Sequence, residues 1–434
     1  MSLKIIVVGA GIAGLCAAVA LRQAGHSVTV FEKSQFAAEI GAALLLSPNG
    51  TRVLSRLGFS FERARGCRVT AWDTHDGMTL ENMTSLDLEG AEKRYGAPLI
   101  TVHRVEFHNE LMRLATRDEW DEGPKLKLLL SSRVVGASAE AGTVLLADGT
   151  VEKADLIVAA DGVHSVLRNV VLGHEAPRAS PTGLSAFRFL IPTIDMLDDP
   201  QLVEILKWKC KGPMIMVDTS DLKRERHIIC GDVQNFVGVY PSHHDDEQIK
   251  DTNHKTSMLK EFANFHPVIC RTVQKATQVN RWPFSTHDPL PKWSEGKIIL
   301  IGDAAHPLGS NQAIEDAGAL GFLFGNTETC EDVTKNFNLF DKVRRVRASR
   351  AQVLGKVRVG KEQDVIKELL QYADPPGSAV PSSFAERTTH DYGFDVFERC
   401  SQVLEEDATI YKQFFGKGNH QLKATASDHH FTKI

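Results

Sequence analysis

Lys4-Ile-Ile-Val-Val-Gly9-Ala-Gly11-Ile-Ala-Gly14-Leu15, a helical stretch, and then Val28-Thr-Val-Phe-Glu32 decide the fold of this chain. Ile5 to Val8 form the short apolar run expected of a buried parallel strand. Gly9 permits a tight turn, Gly11 lets the backbone come close to a pyrophosphate, and Gly14 lets the following helix pack closely on the strand. That helix offers free N–H groups and its positive dipole end to phosphates. Ile12, Leu15, Cys16 and Val19 recur at i, i+3, i+4 and i+7 and give it an apolar face. Glu32 ends a second strand 18 residues after Gly14, close to the spacing at which a carboxylate holds a ribose hydroxyl. A lone GxGxxG is weak evidence and could be a Gly-rich turn of another α/β fold. The whole strand–turn–helix–strand–acid unit points to a dinucleotide site.

Composition narrows the class. The 434 residues are 42% hydrophobic, enough for a large core in two or three lobes. Fifty Lys and Arg stand against 55 Asp and Glu, a net charge of −5 with no long basic tract, which argues against nucleic acid as a partner. Seven cysteines are scattered without a CxxC pair, so neither a disulfide framework nor a zinc site is expected, and no other metal site is read. The first strand starts at Lys4, leaving no room for a signal peptide, and no apolar run approaches the roughly 18–20 residues of a membrane span. A cytoplasmic monomer or homodimer is expected.

Further along, Thr51 to Leu57 and His103 to Thr116 read as helices. Thr143 to Leu146 leads into Asp148-Gly149, a hairpin signal, and Asp155 to Ala159 is another core strand ending at Asp161-Gly162. Residues 175–285 alternate strand and loop. Gly296 to Ile301 is a third buried strand, ending at Gly302-Asp303, and Ala313 to Gly325 is a helix. Asp341 to Gln371 is a long helical region whose band of Arg344, Arg345, Arg347 and Arg350 reads as a solvated face. No second GxGxxG follows residue 35, so a separate nicotinamide-dinucleotide domain is not expected.

Three strand ends therefore stand out: Gly9–Gly14 with Glu32, Asp161-Gly162, and Gly302-Asp303. In an open parallel sheet, ligands bind outside the carboxyl ends of the strands. Their order and spacing resemble those of the single-component (class A) FAD-dependent aromatic hydroxylases, similar to salicylate hydroxylase and para-hydroxybenzoate hydroxylase. Gly9-Ala-Gly11-Ile-Ala-Gly14 with Glu32 is the first fingerprint. Asp161-Gly162-Val-His-Ser165-Val-Leu-Arg168 matches DGxxSxxR, and Gly302-Asp303-Ala-Ala-His306-Pro307 is the third. Glu39-Ile-Gly41-Ala42-Ala43, His103-Arg104, Phe187-Arg188 and Trp293 add to them. The resemblance covers residues 1–370.

The resemblance implies an α/β fold: a Rossmann-type FAD-binding domain, an inserted β-sheet substrate domain and C-terminal helices. Residues 1–70, 100–174 and 286–330 would form the first, 71–99 and 175–285 the second, and 331–434 the third, with a linker at 373–388. It implies FAD as cofactor, NADH or NADPH as transient reductant and O2 as co-substrate. Gly9, Gly11 and Gly14 would hold the pyrophosphate, with Glu32 and the adjacent Lys33 at the adenosine ribose. Gly41, Ala42 and Ala43 would pass near the ribityl chain or ring, and Arg104 would reach a phosphate or the ribityl chain. Asp161 would serve both FAD and the nicotinamide donor, and Gly302 and Asp303 the ribityl hydroxyls. Pro307, Gly309, Ser310 and Asn311 would meet the ring's pyrimidine end, with N–H groups at a helix start. Arg188 would hold a phenolate as the catalytic cation. Arg104 alone could also be a surface salt bridge, Arg188 a buried ion pair between domains, and Asp161-Gly162 a plain turn; His306 reads as a packing and hydrogen-bonding residue rather than a base.

The expected reaction is hydroxylation of a small aromatic, phenolic or polyketide-like substrate through a flavin C4a-hydroperoxide. The same chemistry could instead give epoxidation, oxidative dearomatisation or cyclisation. Two connections are short against the family pattern. After Leu308 about six or seven residues of a loop that lies along the flavin ring are missing, and after Cys230 a Tyr-Pro strand that would pair with Arg188 is missing. A third reading is therefore a flavin-binding protein impaired by the loss of active-site loops.

Overall fold

The computed structural model describes residues 2–35, 43–117, 126–175, 180–208, 212–220, 226–231, 235–243, 254–325, 327, 329, 331–357, 361–373, 377–381 and 383–415. Among them the strands form four sheets. The first runs in the order Ser294–Glu295, Ile298–Leu300, Leu156–Ala159, Lys4–Val8, Ser27–Phe31 and Lys127–Leu129. All its pairings are parallel except that of the edge strand Ser294–Glu295. Ile5–Val8, Leu156–Ala159 and Ile298–Leu300 are buried throughout, as a sheet covered on both faces requires.

The helix Ile12–Gln23 follows the first strand. Its predicted apolar face proves too narrow a description: Gly14 to Arg22 are all buried, because the Ser310–Phe324 helix covers its other side. Gly9 has φ +100°, which few side chains tolerate, and a Cβ there would lie 2.4 Å from the Ala160 carbonyl oxygen. A Cβ on Gly14 would lie 1.9 Å from the Gly9 carbonyl oxygen, so strand and helix meet backbone to backbone.

A seven-stranded sheet has the order Val279–Thr286, Ser180–Leu190, Asn235–Pro241, His227–Gly231, Met214–Val217, Ala71–Asp76 and Asn82–Asp87. One face is core. Phe187, Phe189, Met216, Ile228, Phe236 and Tyr240 pack there with Met258, Phe262 and Ile269 from the helices His254–Glu261 and Pro267–Lys275. Side chains alternate across a strand, so Ala186, Arg188 and Leu190 project from the opposite face. Cross-strand register sets Arg188 in a row with Val237, Ile229 and Ile215 there. Small three-stranded sheets are built by Val134–Ser138, Thr143–Leu146 and Val151–Lys153, and by Ala43–Leu46, Ile100–His103 and Cys67–Arg68. The Asp148-Gly149 turn joins the hairpin strands at Leu145↔Val151.

One expectation fails. The helix Glu331–Leu354 does not turn its arginines to solvent. Arg344, Arg347 and Arg350 are 0%, 2% and 4% exposed, and only Arg345, paired with Asp341, stays near the surface. The buried three meet Glu315, Asp316 and Asp391. Desolvated guanidinium groups are tolerated because carboxylates receive them. Helices Phe384–Gly393 and Val396–Phe415 complete the described C-terminal region. No described helix is long and apolar enough to cross a membrane, and no His, Cys, Asp and Glu cluster among the described residues fits a metal ion.

Glu110 fastens the Arg104–Thr116 helix to the segment after Phe59. Burial raises its carboxyl, but hydrogen bonds from Arg113, Arg63 and the Ser60 N–H outweigh this and bring it from 4.5 down to about 2. A folded-state value below the unfolded one stabilises the protein above the unfolded value, and that contribution fades as pH falls toward the folded value. Glu110→Gln is therefore expected to be less stable than wild type at neutral pH, with the gap closing between about pH 4.5 and pH 2. Urea unfolding at a series of pH values checks this; a gap that ignores pH would contradict it.

Candidate active site

Three parallel strands stand side by side and end at one edge of the sheet: Ile298–Leu300, Leu156–Ala159 and Lys4–Val8. The backbone ties their ends together, with Gly9 N–H donating to Phe31 O, Ala160 N–H to Val8 O and Ile301 N–H to Ala159 O. The three fingerprints are thus neighbours in space.

At the first of them, Glu32 is nearly buried. Its Oε2 accepts from Ala10 N–H and its Oε1 from Ser34 N–H, each at 2.8 Å. These bonds fix the turn, and the remaining lone pairs are free for hydroxyl donors. Lys33 beside it is exposed. Gly11 caps the first helix without a side-chain hydrogen bond, and a Cβ on it would meet nothing within 4 Å. Space therefore lies over the uncapped N–H groups. His108 braces this turn from the Arg104–Thr116 helix, with Nε2 2.9 Å from Ala10 O. Nothing local in the sequence marked it.

Asp161 accepts from Val166 N–H at 2.9 Å and Leu167 N–H at 3.3 Å through Oδ2, capping the short helix Leu167–Leu172. Its Oδ1 is buried and accepts no hydrogen bond among the described residues. Arg168, quoted in the motif but given no role from sequence, is a brace. It donates to Val163 O at 3.0 Å, Asp303 O at 2.8 Å and Ala304 O at 2.7 Å, tying the Asp161 loop to the Asp303 turn.

Asp303 sits on the turn Gly302–Ala304 with its side chain open to a cavity and protein around the rest of it. Burial raises its carboxyl, opposed by the charges of His306, Arg104 and Arg168. Asp316 holds both ends of the turn, accepting from Gly302 N–H at 2.9 Å and from His306 at 2.7 Å. His306 is buried against Trp293, as a packing residue is. Pro307, Leu308 and the cap residue Gly309 lead straight into the Ser310–Phe324 helix, with no intervening loop. Asn311 does more than offer an N–H. Its side chain accepts from Ser47 N–H and donates to Leu45 O, clamping the helix start to the Ala43–Leu46 strand. Ala43 pairs with His103, which sets Arg104 beside that strand; Gly41 and Ala42 lie outside the described residues.

Arg188 stands apart on the open sheet face. It makes no hydrogen bond or ion pair among the described residues, and its Nε is buried without a partner. The guanidinium lies 5.7 Å from the Trp282 ring centre. Burial depresses its pKa and the charge of Arg104 depresses it further, so the two cations are near neighbours. Tyr240 does not replace the absent tyrosine: it stacks on Phe187 at 4.5 Å, on the other face of the sheet.

A cavity of about 1150 Å³ adjoins these elements, walled by Val163, His164, Trp282, Asp303, Pro307 and Lys356. Pockets for drug-sized ligands run to roughly 1,000 Å³. Arg188 is not on its wall, although Leu184, on the same strand and face, is.

A family model described as FAD binding domain matches residues 2–351. Hispidin-3-hydroxylase of Neonothopanus nambi is 34% identical over 376 residues, covering 80% of this chain and 86% of that protein. The 6-hydroxynicotinate 3-monooxygenase of Bordetella bronchiseptica is 33% identical over 361 residues, covering 80% and 89%. The chain belongs to the FAD-dependent aromatic hydroxylases. A salicylate hydroxylase in a substrate complex shares the hydroxylase's fold with TM-score 0.70 at 22% identity, over 93% of this chain and 98% of that one. CtdE in complex with FAD and its substrate does so with TM-score 0.73 at 20% identity, over 95% and 100%. The site fits the cofactor: open space over Gly11, uncapped helix starts, a leftover Asp161 oxygen and an exposed Asp303 carboxylate suit a diphosphate and a chain of hydroxyls.

Proposed function

We propose that this hydroxylase uses NADH or NADPH and O2 to hydroxylate a small aromatic substrate carrying an ionisable hydroxyl, with Arg188 as the cation that holds the ionised oxygen. The observation that carries the reading is the half-buried guanidinium of Arg188, without an anion among the described residues and beside a second cation. A desolvated charge of this kind calls for a partner, and the apolar row of Val237, Ile229 and Ile215 offers a flat bed for a ring.

FAD, when bound, carries electrons from the nicotinamide to dioxygen and delivers one oxygen atom to carbon. The chain's own residues place and polarise. Gly11 and the helix start it caps would receive the diphosphate on backbone N–H groups, with Gly9 turning the chain beneath it and Gly14 letting the helix pack close to the strand. Glu32, with Lys33 beside it, takes the adenosine ribose, and Asp303 the ribityl hydroxyls. Ala43 and Arg104 would flank the ribityl chain, and Asp161 would serve both the flavin and the nicotinamide donor. Gly302 and Pro307 shape the turn. Gly309, Ser310 and Asn311 carry the positive end of a 15-residue helix, which would favour negative charge on a bound flavin's pyrimidine end. Arg188 lowers the pKa of the bound phenol and so supplies an electron-rich carbon.

Anaerobic reduction by NADPH with a panel of phenols tests the reading. Flavin bleaching that a phenol accelerates, followed by a hydroxylated product on admitting air, is the expected result. Bleaching without product from any phenol would favour the impaired flavin-binding protein, which the direct run from Leu308 into the helix also suits.

A further inference from the structure

Glu315 and Asp316 are adjacent carboxylates, both wholly buried, in a helix whose other residues after Gln312 are small or apolar. Each is shared between a segment that walls the flavin crevice and an arginine of the Glu331–Leu354 helix. Asp316 holds Gly302 N–H and His306 through Oδ2, and takes Arg344 Nε at 2.8 Å through Oδ1. It therefore pins both ends of the turn that carries Asp303. Glu315 accepts from Asn49 at 2.5 Å and from Arg347 at 2.8 Å, and also pairs with Arg344 Nη1. Asn49 in turn accepts from the Ser47 hydroxyl at 2.6 Å, at the end of the Ala43–Leu46 strand on the opposite wall. Arg344 Nη2 donates to Gln312 O and Oε1. Arg347 reaches on to the Asp391 carbonyl at 3.2 Å.

We propose that Asp316 and Arg344 are positioning residues for the flavin, transmitting the C-terminal helices' packing to both walls of the crevice. The proposal rests on the flavin reading of that crevice. A buried ion network stabilises a fold poorly compared with apolar packing, and is best suited to fixing one geometry. Here the geometry fixed is that of the Asp303 turn and of the helix start facing it. Arg344 is the shared element: it pairs with both carboxylates and with the Gln312 carbonyl at the start of the Ser310–Phe324 helix.

Titration of apo-protein with FAD, followed by flavin fluorescence, tests this without turnover. Asp316→Asn places an amide N–H₂ or a weakened acceptor against Arg344, and is expected to weaken FAD binding at least about tenfold, or 1.4 kcal/mol. Arg344→Lys keeps the charge but not the fork, so it should fold and bind FAD with an intermediate constant. Arg345→Ala, on the same helix but facing Asp341, should bind as wild type does. Melting of apo-protein separates positioning from bulk stability: the gain in melting temperature on adding FAD should shrink in both network variants. Binding within twofold of wild type in both, with only the apo melting temperature lowered, would overturn the proposal. Failure of wild type itself to take up FAD would overturn the flavin site, and this inference with it.

Discussion

Arg188→Ala is expected to lower kcat/KM for a phenolic substrate by about 10–150-fold, the worth of about 1.5–3 kcal/mol for a hydrogen bond to a charged group. The pH profile should move as well. A guanidinium within hydrogen-bond reach lowers an acid's pKa by about 1–3 units, so without it the rising limb of the profile moves to higher pH by that amount. Arg188→Lys should restore part of both effects, since the charge returns without the planar fork. Stability should move the other way. In the substrate-free protein Arg188 is a desolvated cation beside Arg104 with no anion among the described residues, and Arg188→Met removes that repulsion while keeping the stem. The methionine variant is expected to melt higher than wild type and to work worse, the trade that strained sites show. Substrate-dependent NADPH oxidation with product analysis, alongside thermal melting, measures both. Wild-type kcat/KM with an unmoved profile would take Arg188 out of the site.

Gly11→Ala is the second large effect, and its contrast with Gly14→Ala gives it meaning. A methyl on Gly11 meets nothing within 4 Å, so the variant should fold and melt close to wild type. That space is where a diphosphate would lie over the first helix, and the methyl would push it off the backbone N–H groups. Loss of one or two charge-assisted bonds corresponds to about 10–150-fold or more in FAD affinity. A methyl on Gly14 would sit 1.9 Å from the Gly9 carbonyl oxygen, so helix and strand must separate and the apo-protein itself should be destabilised. Fluorescence titration and apo melting, run on the pair, read the two quantities apart. Equal FAD affinity in Gly11→Ala and wild type would contradict the placement of the diphosphate.

The crevice was legible because each fingerprint is local. Strand, tight turn and helix N-terminus follow one another within a dozen residues at Gly9–Gly14, and a parallel sheet then brings the three turns together. The arginine row was misread for the opposite reason. Helical spacing shows that Arg344 and Arg347 share a face, not what that face meets. Their partners lie 28 to 32 residues earlier, on a different helix. The available signal was the acidic pair Glu315-Asp316 inside the apolar run Ala313 to Leu320, which could be buried only if cations came to it. Arg168 shows a further limit. Its motif was visible, but its partners are the backbone carbonyls of Val163, Asp303 and Ala304, and backbone acceptors have no sequence signature.

Equilibrium binding of FAD to apo-protein decides whether the crevice at the three strand ends is a flavin site. Saturable uptake of one FAD per chain is expected, with the flavin's fluorescence altered and the melting temperature raised. Protein that remains folded yet leaves added FAD free in solution would contradict it.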